Sequence, residues 1–143
     1  MNNEDFQKLI ASLSLTVIQP TKVEYERLGN PPPANANIQI NWKMIYPKDE
    51  SFKVENNVLQ LAPMFEISFV CNGETLYSHK SIFIVLLTIK DKEIFESLWA
   101  NDELQKTFKE KQIRNTLWPI VRQHVLDGMS RLSLPPLALP WLL

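Results

Sequence analysis

NIQINWKMIYP, residues 37–47, places Ile38, Ile40, Trp42, Met44 and Tyr46 at alternate positions. Successive side chains of an extended chain point to opposite faces, so five apolar residues at a spacing of two mark one face of a β-strand. The stretches on either side extend that reading. Upstream, LSLTVIQPTKVEYERL (13–28) alternates through Leu13, Leu15 and Val17 and resumes at Val23 and Tyr25, which predicts a strand bent or bulged at Pro20. GNPPPANAN (29–37) reads as a stiff loop around Pro31, Pro32 and Pro33. Downstream, KDESFKVENN (48–57) reads as a polar turn around Phe52 and Val54. VLQLAPMFEISFVCNG (58–73) sets Phe65, Ile67, Phe69 and Cys71 on one face and closes on Asn72-Gly73, a favoured hairpin pair. ETLYSHKSIFIVLLTI (74–89) becomes continuously apolar from Ile82 to Leu87, the pattern of a strand covered on both faces.

Four extended stretches in direct succession predict an antiparallel sheet, and the chain then turns helical. KDKEIFESLWAN (90–101) carries Ile94, Phe95, Leu98 and Trp99 at helical spacing, and Asn101 or Asp102 can cap a further helix holding Leu104 and Phe108. TLWPIVRQHVLDGMSRL (116–132) spaces Leu117, Val121, Val125 and Met129 four apart. Pro119 fits its first turn if Thr116 is the cap. Strands followed by helices make the fold class α+β, a four-stranded antiparallel sheet with C-terminal helices packed on one side. The 143 residues suit one domain: residues 1–12 an arm or short helix, 13–90 the sheet, 91–132 the helices, and 133–143 an apolar, proline-rich terminal segment.

Composition narrows the function. A net charge of −1 offers no clustered cation for a general nucleic-acid grip. One cysteine, Cys71, fits a reducing compartment, and no apolar run approaches the roughly 20 residues of a membrane span. With no secretory pattern at residues 1–13 either, the expected location is the cytoplasm. The two histidines, His79 and His124, have no partner at metal-ligand spacing and read as surface or satisfied side chains. Cys71 reads as a buried thiol, and Glu24 and Glu26 as solvent-exposed. Three glycines leave no phosphate-cradling loop. No cofactor, metal or catalytic residue is expected, and the chain does not read as an enzyme.

LSLPPLALPWLL, residues 132–143, raises a different question, because it is uncharged throughout. Pro135, Pro136 and Pro140 remove backbone donors and forbid a regular helix or a central strand. Such a ribbon has to lie in a groove of its own chain, in a partner subunit, or on a patch used for binding.

Residues 115–143, NTLWPIVRQHVLDGMSRLSLPPLALPWLL, resemble the C-terminal helix and following loop of the SecB export-chaperone family. The likeness rests on Asn115, Leu117, Trp118, Pro119, Arg122, Ser130, Arg131, Pro136, Leu137, Leu139 and Pro140, with the four-strand order adding to it. The resemblance implies a homotetramer built as a dimer of dimers, and ATP-independent holding of unfolded or partly folded polypeptides. It departs from the family's export members in lacking a second C-terminal helix and an acidic tail, and in carrying a charged segment at residues 90–111. Those departures favour the solitary, toxin–antitoxin-associated type with an antitoxin client over general export to the translocase motor. A plain oligomerisation or scaffold domain is the reading from another class. Under the chaperone reading, Trp42, Tyr46, Phe52, Leu134, Leu137, Leu139 and Trp141 form the client-contacting set, though each serves equally well as core. Leu117, Val121, Val125 and Met129 read as helix-packing or subunit-contact residues.

Overall fold

The computed structural model describes residues 3–33, 35–47, 52–135, 137 and 139. A short helix α1 (Asn3–Ala11) leads into strand β1 (Leu13–Arg27), and β2 (Gln39–Ile45), β3 (Phe52–Glu55), β4 (Val58–Leu61), β5 (Met64–Cys71) and β6 (Glu74–Ile89) complete one antiparallel sheet. Strand β6 is its spine. Along one edge β1 pairs with it from Leu13 opposite Ile89 to Arg27 opposite Tyr77. Along the other edge β5 and β4 lie end to end, with β2 outside β5 and β3 outside β4. The four extended stretches therefore make four ribbons, two of them interrupted, so the sheet counts six strands rather than four. Pro63 stands at the β4–β5 break. It has no N–H for the ladder, although its carbonyl still accepts from the Phe83 N–H at 3.0 Å.

Three expectations about the strands need correction. Phe52 and Val54 belong to β3, and the turn lies after them, at Asn56 (φ 51°) and Asn57 (φ 61°). Two consecutive positive φ values give a tight turn whose twist suits a hairpin, the same solution found at Asn72 (φ 51°) and Gly73 (φ 79°). In β1 the register slips between Leu15 and Val17 and again between Pro20 and Lys22. The first bulge turns Val17 away from the face that Leu13 and Leu15 share, because one extra residue inverts the alternation. Finally, β6 is covered on one face only. Phe83, Val85 and Leu87 are buried, while Ile82, Ile84 and Leu86 are half-buried on the open face, shielded by their neighbours within the sheet.

The covered face meets α2 (Lys92–Trp99), α3 (Asp102–Thr107), a π-helical segment (Phe108–Ile113) and α4 (Arg114–Arg131). Asp91 caps α2 by accepting from the Ile94 N–H, and Asn101 caps α3 by accepting from Glu103 and Leu104. From Asp102 to Arg131 the helix is continuous, so Pro119 lies inside α4 and Thr116 is not its cap. The Thr116 hydroxyl instead donates back to the Gln112 carbonyl at 2.8 Å. Pro119 and Asn115 are both exposed, so the Asn115 carbonyl that the proline leaves unbonded faces water. Leu117, Val121, Val125 and Met129 are all buried in the core beside Phe65, Phe69, Tyr77 and Phe83 from the sheet. Each such aliphatic side chain contributes about 1.5–3 kcal/mol by leaving water. Cys71 is buried and Glu24 and Glu26 are exposed, whereas His79, expected at the surface or satisfied, is 3% exposed with its Nε2 unpartnered among the described residues. The cause is position: Ile67 and Tyr25 flank it in the sheet and α4 lies above.

Candidate functional site

The structure divides the expected contact residues into two clusters. The first lies on β2. Trp42 packs its indole 4.7 Å from that of Trp118, and the Arg114 guanidinium stands 5.8 Å over its ring. Tyr46 follows just past the end of the strand and donates its hydroxyl to the Lys109 carbonyl at 2.9 Å, while the Lys109 ammonium sits 4.6 Å above the ring. Burial, and secondarily the Glu110 carboxylate, push the Tyr46 hydroxyl pKa well up, so it remains a donor. Burial also lowers the Lys109 pKa, with Glu110 opposing. Both aromatics are half-buried and bind the π-helical segment and α4 to the sheet. Phe52 belongs to the adjoining β3 but its side chain lies outside the described residues, as does Trp141.

The second cluster forms where α4 ends. Ser133 adopts φ 57°, a left-handed turn that stops the helix, and the Leu134 N–H donates back to the Met129 carbonyl at 2.9 Å. The chain then runs along its own subunit: Leu134 is 6% exposed and Leu139 1%, with Leu137 half-buried. Arg122 fixes the run by donating from Nε to the Leu139 carbonyl at 2.9 Å. Arg27, at the end of β1, donates to the carbonyls of Gly29 and Leu132 and so joins the proline-rich loop to the helix end. Of the three resting places open to this ribbon, its described residues take a groove of their own chain. A narrow crevice remains beside it, walled by Pro32, Phe69, Leu76, Met129, Leu134 and Leu137. Pro32, Phe69 and Leu76 were not among the expected contact residues. The proline triplet was the available signal, but nothing in its spacing tells that it faces the chain terminus.

The uncovered face of the sheet offers a second surface. Glu24, Asn41, Lys43, Glu66, Ser68 and Lys80 line a shallow concavity of ≈ 750 Å³, with Lys43 and Glu66 paired at 3.3 Å. Further along this face the side chains turn apolar through Ile45, Ile82, Ile84 and Leu86. Beyond it, the outer edge of β1 pairs with no strand among the described residues, and Leu15 and Val23 are 49% and 38% exposed beside that edge. Among the described residues no group of three His, Cys, Asp or Glu side chains is placed to hold a metal ion, and no helix is long and apolar enough to cross a membrane.

No family model and no curated protein matches this chain. Among solved structures, the Mycobacterium tuberculosis Rv1957 SecB-like chaperone, in complex with a ChAD peptide from the Rv1956 HigA1 antitoxin, aligns with a TM-score of 0.75. The alignment covers 98% of this chain and 97% of the mycobacterial one at 16% identity. A Streptococcus agalactiae protein of unknown function aligns with a TM-score of 0.39 at 11% identity, over 90% of this chain and 97% of the other. The fold is therefore SecB-like over essentially its whole length, an antiparallel sheet with helices on one side.

Proposed function

We propose that this chain is a SecB-like molecular chaperone that holds unfolded or partly folded polypeptides without ATP, and that its client is an antitoxin-type chain. The observation that carries the reading is the whole-length likeness to a SecB-like chaperone bound to an antitoxin peptide. The apolar strip at the end of α4 supports it physically. Leu134 and Leu137 lie beside Pro32 and Leu76 along a crevice of ≈ 10 Å³ without charged walls, which widens to take a client's apolar segment when the ribbon loosens. Prolines on the strip keep it from templating strand addition by other copies. Many weak apolar contacts tolerate varied client sequence, and the entropy lost when a flexible client is ordered keeps binding reversible.

Trp42 and Tyr46 extend the contact surface along β2; Phe52 and Trp141 complete the proposed contact set, though their side chains lie outside the described residues. The whole chain acts as one domain in the cytoplasm. It assembles as a dimer of dimers, with the free edge of β1 joining a second copy and covering Leu15 and Val23. Leu117, Val121, Val125 and Met129 act in packing α4 to its own sheet.

The test is aggregation of a chemically unfolded protein, followed by light scattering, with stoichiometric chaperone and no nucleotide, alongside calorimetry with peptides tiled across an antitoxin from the same host. Suppressed aggregation and saturable binding of one apolar peptide are expected. Binding to unfolded proteins in general but to no antitoxin peptide would favour the export reading. An assembled protein that does neither would leave the scaffold reading in its place.

A further inference from the structure

A polar cluster that the client reading does not use lies in the seam between β6 and α4. His79 and Ser81 succeed each other on the covered face of β6, 3% and 0% exposed. His124 reaches down from α4 and stacks on Phe83, ring centroids 5.9 Å apart and planes within 6°. Nε2 of His79, Oγ of Ser81 and Nδ1 of His124 are all buried, with no hydrogen-bond partner among the described residues. The Tyr77 hydroxyl lies 3.3 Å from His79 Nδ1.

The surroundings offer an added proton no counter-charge. From β1, Tyr25 stands opposite His79 in the ladder, and Arg27 follows on the same face. From β5 the opposite residue is the apolar Ile67. From β6 come Tyr77 and Ser81, and from α4 come His124 and Gly128, the latter against the two tyrosines, while Arg122 turns its Nε to the Leu139 carbonyl. Glu24, Glu26, Glu66 and Lys80 alternate to the open face of the sheet, and Asp127 is exposed and accepts from Gln123 at 3.0 Å. A cation at His79 would thus meet the second imidazole, while those carboxylates lie on the open face of the sheet or in water.

We propose that His79, packed beneath His124, is the trigger of an acid-sensitive latch: while the His79 ring is neutral α4 lies closed on the sheet, and proton uptake there releases α4 and uncovers the apolar faces it joins. Burial first, and His124 second, hold the His79 pKa down to about 4, so the closed seam keeps the ring neutral. An open ring returns toward about 6.5, so opening takes up protons and is favoured as pH falls between those values. The latch stands apart from the chaperone reading, and its test uses no client.

The experiment is hydrogen exchange of the full chain read by mass spectrometry from pH 7.5 to 4.5, corrected for intrinsic rates, with binding of an apolar dye in parallel. The expected result is loss of protection across residues 114–131 as pH falls below about 6.5, with residues 74–89 still protected and dye binding rising together. In His79→Gln the transition moves to lower pH. An unchanged midpoint in His79→Gln, or an α4 of the wild type that stays protected to pH 4.5, overturns the latch. Should a variant fail to fold, the wild-type imidazole carbons report directly by NMR: His79 must take its proton together with α4 opening. Titration of His79 near 6.5 with α4 still closed would be fatal.

Discussion

The indoles of Trp42 and Trp118 lie 4.7 Å apart and tilted by 53°, joining strand β2 to helix α4 at the rim of the sheet. Phe65 stands below, 6.2 Å from Trp118. Trp118 is 2% exposed and fills the seam, whereas Trp42 keeps one side toward the surface. Trp118→Ala is therefore expected to lower unfolding stability by about 3–5 kcal/mol and Trp42→Ala by about 2 kcal/mol. Urea denaturation of the two single variants and the double variant would read a coupling of about 0.5–1.5 kcal/mol between the rings. A negligible coupling would mean that the two indoles do not bear on one another in solution.

Gly128 sets how closely α4 approaches the sheet. A methyl group there would collide with the Tyr77 hydroxyl and come within 2.9 Å of Tyr25 Cγ. In an open helix, glycine to alanine gains about 1 kcal/mol. Here the gain is outweighed by overpacking of about 1–3 kcal/mol, so Gly128→Ala is expected to destabilise. Adding Tyr77→Phe to it removes the oxygen and should recover part of the loss. A Gly128→Ala variant more stable than wild type in thermal unfolding would show that α4 rides higher than described.

These packing details mark where sequence periodicity stops being informative. Phe65, Ile67, Phe69 and Cys71 were readable as one face because a single buried side imposes a strict period of two. Asn72-Gly73 was readable because few residue pairs accept two positive φ values. Strand β3 was not, since Lys53 and Glu55 alternate with Phe52 and Val54 in a four-residue run beside a second hairpin made by Asn56-Asn57, a less telling pair. The continuous helix across Pro119 was hidden because its tolerance depends on the exposure of Asn115, a tertiary fact. The same holds for the contact residues. Spacing put Trp42 and Tyr46 on one face but could not say that α4 covers the first and the π-helical segment the second. Leucines and prolines announced an apolar ribbon, yet only the fold brings it to Pro32 and Leu76.

Stability should depend on pH through His79. Its folded pKa is lowered to about 4, by burial and then by His124, from an unfolded value near 6.5. Between those values the unfolded chain binds more protons, so unfolding is favoured as pH falls. The expected loss begins below about pH 6.5, steepens to at most about 1.4 kcal/mol per pH unit, and levels off below about 4. Urea midpoints at fixed pH values would follow it. His79→Gln should flatten this limb while leaving the contribution of carboxylates at lower pH, so parallel curves for wild type and variant would assign the acid limb elsewhere.

The docked terminal ribbon makes a prediction about its own attachment. Leu139 is 1% exposed, and its carbonyl accepts from Arg122 at 2.9 Å. Leu139→Ala removes most of the buried side chain but keeps the backbone bond, and a ribbon that is not part of the sheet's ladder can settle into the space left. The expected cost is therefore near the low end for such truncations, about 2 kcal/mol. Exchange should rise at residues 133–139 while β5 and β6 remain protected, because the ribbon lies over a sheet whose own ladder does not need it. Loosening the ribbon also widens the crevice beside Pro32 and Leu76, so an apolar peptide that enters there should bind the variant more tightly than wild type. Weaker binding would instead make Leu139 itself part of the contact surface, and unchanged exchange at residues 133–139 would mean that the ribbon is not held by this side chain.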